Sequence, residues 1–354
     1  MRNNMKSVAF QEDLCVISAY LKEKQFSGST IMVTGATGLI GSIIIKGIVE
    51  YNKENDEKIF CIGLARNPEK VNSVFQEELD ANGLVPNVSF LYQDIEKSIP
   101  ETVKCDFVIH TANSTTSKFF MTNPVEVIDS IYTGSKNVFE FARKSNAKGI
   151  VYLSSMEVFG QVFEEKRVGE NDLGYIDLQN VRSCYSEGKR LVECLAASYA
   201  HEYGLPVKVA RLAQTFGAGV PSTENRVFAQ FAKSAIKGED IVLHTNGLSC
   251  GNYCYTTDVI RAIFLLLKAG KNGDAYTIVN EETSRSIYDM ASMVAENFSD
   301  GKSKVVFDIP EGNEFGYAPQ TKLKLSSAKM NSLGWNAKYN LKEMFERMMP
   351  DLKE

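Results

Sequence analysis

The fold is decided by the stretch Ile31-Met32-Val33-Thr34-Gly35-Ala36-Thr37-Gly38-Leu39-Ile40-Gly41. Its apolar start predicts a buried parallel strand, and the apolar content of residues 42–49 predicts a helix that packs back on that strand. Glycines at the three turn positions let the backbone turn tightly and approach a ligand without a side-chain clash. The first amides of such a helix attract anions, so the turn is typical of a diphosphate site. The strand before it and the helix after it favour this interpretation over a glycine-rich turn without a ligand.

Size and charge narrow the class of protein. The chain has 354 residues, enough for one large domain or two smaller ones with a substantial core. Its net charge of −5 provides no global basic field, so an anionic ligand must be held by local cations and amides, and we expect no nucleic-acid partner. Residues 1–10 lack the apolar core of a signal peptide, and no apolar run approaches the length of a membrane span. We therefore expect no membrane partner and a cytoplasmic location.

The cysteines and histidines give no indication of a metal site. The seven cysteines are odd in number, scattered and mostly set in apolar runs, which predicts reduced thiols of the core. Cys250 and Cys254 have no histidine at ligand spacing, so we expect no bound metal. The cysteines are Cys15, Cys61, Cys105, Cys184, Cys194, Cys250 and Cys254.

Strands and helices alternate over most of the chain. After a leading helix at 13–24 and the first strand, strands are predicted at 58–64, 88–92, 106–110, 149–153 and 207–212. This alternation predicts an α/β fold with a doubly wound parallel sheet. Beyond residue 212 the rhythm changes, which predicts a smaller C-terminal α/β lobe that closes over the crevice. We assign residues 1–212 and 255–280 to the sheet domain, and residues 213–254 and 281–354 to the lobe.

The ends of the predicted strands supply candidates for the cofactor crevice. Arg66 follows the second strand, where a NAD-binding unit usually carries an acidic residue for the ribose hydroxyls. An arginine there suits a 2′-phosphate and favours NADP, with a solvated loop charge as the equal alternative. Asp94 and Ile95 follow the third strand, and Asp94 either reaches the adenine or caps a turn. Thr111 and Ala112 follow the fourth strand.

Three side chains form the predicted catalytic constellation. Ser155 follows the fifth strand, and Tyr185 and Lys189 are four residues apart on the next long helix, so they share one face. A free tyrosine keeps its proton to a pH of about 10, and a neighbouring ammonium lowers that pKa. Tyr185 would accept a proton from a substrate hydroxyl while a hydride leaves its carbon, and Ser155 would steady the developing alkoxide. Chance spacing on an exposed helix is the alternative, but the glycine turn and the serine favour catalysis.

The glycine turn, Ser155, Tyr185 and Lys189, taken in their order along the chain, resemble the motifs of an extended short-chain dehydrogenase/reductase of the nucleotide-sugar epimerase/dehydratase family. The resemblance covers nearly the whole chain and also rests on the Glu157-Val158-Phe159-Gly160 block and on residues 211–217. It implies a Rossmann-type fold, a catalytic triad of Ser155, Tyr185 and Lys189, and a C-terminal lobe that binds a nucleoside-diphosphate sugar. Family members often pair through the helices at 124–143 and 180–201, so we expect a homodimer. The residues that would bind NAD or NADP are Gly35, Thr37, Gly38, Leu39, Ile40, Gly41, Arg66, Asp94, Ile95, Thr111, Ala112, Tyr185 and Lys189.

The segment 182–190 resembles most closely that of UDP-glucuronate decarboxylases. Glu157 stands where decarboxylases and dehydratases keep an acidic helper, with a carboxylate that caps nearby amides as the equal alternative. Dehydratases also place an acid just before it. Here that position is Met156, which argues against 4,6-dehydration because elimination needs an acid for the departing hydroxyl.

Three departures from the family pattern concern the substrate. Gly251 stands where the family has an arginine for the diphosphate, and Gln214 and Ile131 stand where it has asparagines. Gln214 remains a candidate substrate contact. Arg226 or Arg182 could supply the missing charge, since a guanidinium pairs well with phosphate, and a surface salt bridge is the alternative for each.

The sequence thus predicts an NAD(P)-dependent nucleotide-sugar epimerase that oxidises C4 of the sugar transiently. A UDP-glucuronate decarboxylase-like enzyme and an NADPH-dependent keto-sugar reductase are the alternatives within this class. A non-catalytic NAD(P)-binding sensor is the minor alternative, and the intact Ser155, Tyr185 and Lys189 argue against it.

Overall fold

A computed structural model describes residues 7–113, 117–162, 166–311 and 322–353. The helices are α1 (Val8–Glu23), α2 (Leu39–Glu54), α3 (Pro68–Val74), α4 (Ser117–Thr122), α5 (Pro124–Lys144), α6 (Ser183–Tyr203), α7 (Val227–Lys237), α8 (Thr256–Ala269), α9 (Ile287–Phe298), α10 (Ala328–Asn331) and α11 (Leu341–Leu352). The strands are β1 (Thr30–Thr34), β2 (Phe60–Ala65), β3 (Val88–Tyr92), β4 (Phe107–His110), β5 (Gly149–Ser155), β6 (Arg167–Val168), β7 (Val207–Leu212), β8 (Gln214–Phe216), β9 (Ile241–Leu243), β10 (Cys250–Tyr255), β11 (Ala275–Ile278), β12 (Asn280–Ser286), β13 (Val305–Phe307) and β14 (Lys324–Leu325). Short 3-10 helices span Gln76–Glu78 and Met156–Phe159.

A seven-stranded sheet of order β11-β7-β5-β4-β1-β2-β3 forms the centre of the molecule. Every neighbouring pair in it is parallel. The strand order runs outward in both directions from β1 and β4, so a crevice opens between the carboxyl ends of these two strands. The predicted α/β fold with a doubly wound parallel sheet is confirmed.

Helices cover both faces of this sheet, which explains the uninterrupted apolar character of its strands. Along β1, Ile31 and Val33 point into the cluster that α1, α2 and α8 close. Met32 points to the opposite face, into the cluster closed by α5 and α6. The first turn of α6 therefore lies beside the carboxyl end of β5, where the candidate catalytic residues are.

The later part of the chain builds a second, smaller sheet. In it β10 pairs with β8 in parallel and with β12 in antiparallel orientation. The helices α7, α9 and α11 pack on this sheet around Phe216, Tyr253 and Phe345. Between β10 and β12 the chain returns to the large sheet, where β11 pairs with β7.

Helix α1 begins earlier than the sequence predicts, at Val8 rather than at residue 13. Ser7 is the cause, because its hydroxyl caps the helix by accepting a hydrogen bond from the Phe10 amide at 3.1 Å. The added turn carries Phe10 into the core. None of the described helices combines the length and the apolar character that a membrane crossing requires.

All seven cysteines are free thiols. Four of them are buried, but Cys15 and Cys194 are exposed, so the prediction of core thiols is wrong for these two. The reason is that they lie on the solvent-facing sides of α1 and α6. Within the described ranges, no group of three or more histidine, cysteine, aspartate or glutamate residues is placed to hold a metal ion.

Candidate active site

The glycine turn is shaped by contacts that leave no room for side chains. Gly35 has a φ of +67°, and a Cβ there would lie 2.7 Å from Thr111 Oγ1 and 2.9 Å from the Ala112 amide. A Cβ on Gly41 would overlap the Gly35 carbonyl oxygen. At Gly38 the nearest atom to such a Cβ is that same oxygen, at 3.3 Å. These contacts hold α2 against the turn, and the N-terminus of α2, which has no side-chain cap, is left to face the crevice.

These features fit the diphosphate of a dinucleotide. Uncapped amides at a helix N-terminus are donors for an anion, and the helix dipole favours its negative charge. The position is also the one at which doubly wound sheets bind dinucleotides, outside the carboxyl ends of β1 and β4. The group would be held by the amides of Leu39 and Ile40 together with the close approach that Gly38 permits.

A buried hydrogen-bond chain ties β1 to β4 beneath the turn. The Ala112 amide donates to Thr34 Oγ1 at 3.2 Å, and Thr34 Oγ1 lies 2.8 Å from His110 Nδ1. His110 Nε2 lies 3.0 Å from Ser135 Oγ on α5. Burial, with a smaller effect from Lys189, lowers the pKa of His110 to about 3, so the ring is neutral. The polar Thr34 and His110 at the ends of apolar strands were the sequence signal for this chain, which sequence reasoning missed.

The ends of β2 and β3 carry the residues predicted to face the adenosine. Arg66 is 78% exposed, and its Nη1 lies 3.7 Å from Asp94 Oδ2. Asp94 Oδ1 also accepts the Glu96 amide at 3.0 Å, so this side chain does cap a turn. Ile95 is buried against Gly134 of α5. Arg66 is thus loosely held and free to turn toward another anion.

Tyr185 lies in the first turn of α6 and is almost fully buried, with 7% of its surface exposed. Its ring stacks on Phe120 of α4, with the centroids 4.5 Å apart. Burial raises the pKa of Tyr185 above its usual value, and the charge of Glu157 adds to the rise. The Ser155 side chain and the nearby charges of Arg182 and Arg226 oppose this rise. The structure therefore brings the predicted base and its serine partner together.

Lys189 is 2% exposed and contacts β5 rather than the Tyr185 hydroxyl. Its Nζ donates to the Leu153 carbonyl at 2.7 Å and lies 5.7 Å from the centre of the Tyr185 ring. Burial lowers the pKa of Lys189 to about 7, against an opposing effect of Glu193. We expected an ammonium to lower the pKa of Tyr185. In this structure burial has the larger effect on both residues, because α4 and β5 enclose them.

Glu157 and Arg182 form a bidentate ion pair at the rim of the cluster. Arg182 Nη1 donates to Glu157 Oε2 at 2.7 Å, and Arg182 Nη2 donates to Glu157 Oε1 at 3.1 Å. The Ser186 hydroxyl also donates to Glu157, at 3.3 Å. The candidate acidic helper and one of the candidate diphosphate arginines are thus partners of each other. Met156, between Ser155 and Glu157, packs against an apolar cluster that includes Val168.

The other candidate substrate residues lie on the smaller sheet and at the start of α7. Arg226 precedes α7, and its Nη2 donates to Glu224 Oε2 at 2.7 Å. Gln214 begins β8, and its Oε1 is buried with no hydrogen-bond partner among the described residues. Next to it on β10, the space beside Gly251 is filled by the Tyr253 hydroxyl. Ile131, at the position of the family's asparagine, is buried against Gly188 and holds α5 to α6.

Two further polar residues have buried side-chain atoms without a partner in the described part of the chain, and one of them, Asn113, belongs with Thr111 and Ala112 to the strand end that the sequence predicts to face the cofactor crevice. Asn113 follows Ala112, and both polar atoms of its side chain are buried without a hydrogen-bond partner within the described ranges. The Tyr253 hydroxyl is also buried and has no hydrogen-bond partner among the described residues. A buried polar group without a partner costs roughly 1–3 kcal/mol, so such groups mark places where a ligand is expected to bind. The signal for Asn113 was its place directly after two predicted crevice residues.

Comparison with known proteins agrees with this geometry. A family model described as the NAD dependent epimerase/dehydratase family matches residues 31–280, which is more than half of the chain. The match begins in β1 and ends in β12. It therefore includes the glycine turn, the catalytic cluster and the first strands of the smaller sheet.

Individual relatives are distant but match along almost the entire chain. UDP-glucuronic acid decarboxylase 6 from Arabidopsis thaliana is 25% identical over 328 residues, which cover 92% of this chain and 90% of that protein. UDP-glucose 4-epimerase from Thermotoga maritima, solved with UDP-glucose, superposes with a TM-score of 0.74 at 21% identity and covers 92% of this chain and 98% of that one. A dTDP-glucose 4,6-dehydratase from Bacillus anthracis, solved with NAD, gives 0.69 at 18% identity, with coverages of 91% and 96%.

Proposed function

Since the chain belongs to the NAD dependent epimerase/dehydratase family, as its motifs indicated, we propose that it is a nucleotide-sugar epimerase that transiently oxidises C4 of the sugar. The observation that carries the proposal is the placement of Tyr185 against Ser155 beside the crevice that the glycine turn borders. The similarity to UDP-glucose 4-epimerase adds support. The Glu157–Arg182 ion pair argues against dehydration, since a carboxylate held by a guanidinium is a poor acid for a leaving hydroxyl.

The chain's own residues perform the proton transfers. When bound, the nicotinamide cofactor supplies the hydride acceptor, and its positive charge favours the phenolate of Tyr185. Tyr185 then accepts the proton of the C4 hydroxyl, and Ser155 donates a hydrogen bond to the sugar oxygen. Tyr185 would then return the proton to the C4 oxygen when the keto sugar is reduced. Its high pKa suits this second step, because a neutral phenol is then the stable product.

Lys189 acts on the cofactor side of Tyr185 in this proposal. Its Nζ is held at the Leu153 carbonyl, at the end of β5, from where it can also donate to the ribose of the nicotinamide nucleotide. The buried ion pair of Glu193 with Arg211, one turn further along α6, fixes the helix that carries Lys189. Lys189 therefore acts as a cofactor contact in this proposal.

We propose that Arg66 decides between NAD and NADP. Its side chain is mostly exposed, and its contact with Asp94 is long, so it can turn to a 2′-phosphate with little loss. The family description and the NAD in a structural neighbour support NAD, while the arginine supports NADP. Comparing the affinities of the two cofactors for the wild type and for Arg66→Ala tests this proposal, because only NADP affinity should fall if Arg66 binds the phosphate.

We also propose a cytoplasmic homodimer. Support for the dimer comes from apolar side chains that are exposed on the two helices expected to pair, including Val125 and Ile128 on α5 and Leu191 on α6. Sedimentation of the wild type and of Ile128→Glu tests the interface. A monomeric wild type would contradict it.

The experiment that tests the function is incubation with a panel of UDP- and dTDP-sugars and a trace of NAD or NADP. We expect the C4 epimer without net change in cofactor redox state, and its loss in Tyr185→Phe. Release of carbon dioxide from UDP-glucuronate would instead identify a decarboxylase, and net consumption of NADPH a reductase. Unchanged cellular function in Tyr185→Phe, with loss of function on bulky replacement of Gly38, would favour the non-catalytic sensor.

A further inference from the structure

The structure shows why residue 251 cannot carry the arginine that the family places there. Gly251 lies on β10, two residues before Tyr253, and a Cβ on Gly251 would overlap the Tyr253 hydroxyl and the adjoining ring carbons. Tyr253 itself is 0% exposed and cannot swing aside, because its ring is packed against Phe216 with the centroids 5.9 Å apart. Any longer side chain at position 251 is excluded while the tyrosine is in place.

A bulge in the neighbouring strand brings another arginine to this position. On β12, Arg285 pairs with Gly251 and Asn280 pairs with Tyr253, so β12 advances five residues while β10 advances two. The Thr283 hydroxyl stabilises the bulge, since it bonds both the amide and the carbonyl of Tyr253 at 3.0 and 2.9 Å. Directly opposed residues of an antiparallel pair have their Cβ positions about 5 Å apart on the same face. Arg285 therefore stands on the face from which residue 251 would project.

Arg285 differs from the other candidate arginines in its charge balance. Its side chain is exposed, and among the described residues it has no ion-pair or hydrogen-bond partner. By contrast, Arg182 is paired with Glu157 and Arg226 with Glu224, so neither offers a full positive charge to a ligand. A diphosphate carries more negative charge than these neutralised pairs can balance.

Two buried polar groups on the other strands of the smaller sheet have no hydrogen-bond partner among the described residues. The Tyr253 hydroxyl and the Gln214 Oε1 are buried and unpaired within the described ranges, and the two residues are direct neighbours on β10 and β8. Contacts through Phe216 and Phe228 connect Tyr253 to Arg226, whose guanidinium lies 4.9 Å from the centre of the Phe228 ring. Arg226 in turn lies near enough to Tyr185 for its charge to lower the pKa of that phenol.

We infer that Arg285 of β12 binds the diphosphate of the substrate in place of an arginine at position 251. The inference rests on the proposed nucleotide-sugar substrate and adds a specificity-determining residue to that site. In this inference the two features act together. The Tyr253 side chain fills the space that an arginine at position 251 would need, and the bulge in β12 places Arg285 opposite that position.

Calorimetric binding of UDP and dTDP, each compared with its own nucleoside in the presence of saturating NAD, tests this inference on the full chain. The nucleoside comparison isolates the contribution of the diphosphate, and NAD blocks the glycine turn. In Arg285→Met we expect diphosphate binding to weaken about ten- to a hundredfold, the usual effect of losing hydrogen bonds to a charged group, with nucleoside binding unchanged. Arg285→Lys should retain part of the affinity. The matched control is Lys237→Met, an exposed cation at the other end of α7 from Arg226.

A reciprocal variant gives a second, independent measurement. Gly251→Arg alone should fail to fold well, because the arginine meets the Tyr253 hydroxyl. The triple variant Gly251→Arg/Tyr253→Ala/Arg285→Met, which removes both the hydroxyl and the ring from the space beside residue 251, should recover diphosphate binding to within a few-fold of wild type. Diphosphate affinity in Arg285→Met within twofold of wild type would overturn the inference and leave the proposed function standing. A wild type that prefers neither diphosphate over its nucleoside would instead contradict the proposed substrate class, and the inference with it.

Discussion

Burial sets the protonation of the two side chains on which the proposed chemistry depends. It raises the pKa of Tyr185 and lowers that of Lys189 to about 7, so near pH 8 both are largely neutral. A neutral pair can be enclosed by α4 and β5 without the large cost of an unpaired buried charge. It follows that the charge needed to activate Tyr185 comes with the ligands, and that the unliganded site is protected from adventitious proton transfer.

The buried Lys189 makes stability depend on pH. Its pKa is about 7 in the folded chain and near 10.5 when unfolded, so between these values the unfolded chain binds more protons and stability rises with pH. Lys189→Met removes this dependence. Urea unfolding should show that, between pH 7 and pH 9, the free energy of unfolding of the wild type rises relative to that of the variant by roughly 1 kcal/mol per pH unit. A constant difference between the two proteins would show that Lys189 is charged in the folded state.

Glu157 offers a second test at the level of single residues. In Glu157→Gln the bidentate partner of Arg182 is lost, and we expect a loss of about 1–3 kcal/mol in the free energy of unfolding. Because the Glu157 charge raises the pKa of Tyr185, its removal should also move the rising limb of the kcat/KM profile to lower pH.

Ser186→Ala is the matched control for that change. It removes a weak hydrogen bond to the same carboxylate and leaves the charge in place, so the pH profile should stay where it is. Full activity of Glu157→Gln with an unshifted profile would mean that Glu157 takes no part in the reaction.

At the level of helices and strands, the N-terminal helix and the C-terminal helix are joined by a buried polar cluster. Arg347 of α11 donates to Asp13 of α1 at 2.8 Å and to the Tyr255 hydroxyl at 3.0 Å. Tyr255 in turn donates to Asp13 at 2.6 Å. Since β10 ends at Tyr255, this cluster fixes the smaller sheet against α1.

Removal of Arg347 alone should lower the free energy of unfolding more than removal of the charges of both Arg347 and Asp13. Arg347→Met leaves the Asp13 carboxylate buried without its cation, and we expect a loss of about 3 kcal/mol in the free energy of unfolding. The double variant Asp13→Asn/Arg347→Met should recover much of that loss. Thermal denaturation of wild type, of Asp13→Asn, of Arg347→Met and of the double variant measures the coupling, and additive effects of the two single changes would contradict a coupled pair.

The elements were predictable where a local pattern determined them. The predicted strands at 88–92 and 207–212 are confirmed to the residue, because apolar runs and flanking turn residues agree there. The start of α1 was not predicted, because the cap formed by the Ser7 hydroxyl extends the helix by a turn beyond the amphipathic pattern. The bulge in β12 was beyond sequence reasoning too, because its cause is the Thr283 hydroxyl bonding to a strand distant in sequence.

Across the whole molecule, the sequence was sufficient for the family and the architecture but not for the electrostatics of the site. The glycine turn, Ser155 and the Tyr185–Lys189 spacing are local signals, and the family they indicated is confirmed. The pairing of Arg182 with Glu157 joins residues 25 positions apart, and the protonation of Lys189 depends on its burial in the folded chain. Both properties arise from packing, so residue spacing alone could not show them.

Transient oxidation at C4 is the central claim, and an isotope experiment tests it most directly. The enzyme is incubated with a UDP-sugar that carries deuterium at C4, and the product is followed by NMR. The account predicts a C4 epimer that retains deuterium at C4, formed at least a hundredfold more slowly by Tyr185→Phe. An epimer whose deuterium has been exchanged for solvent hydrogen would contradict it.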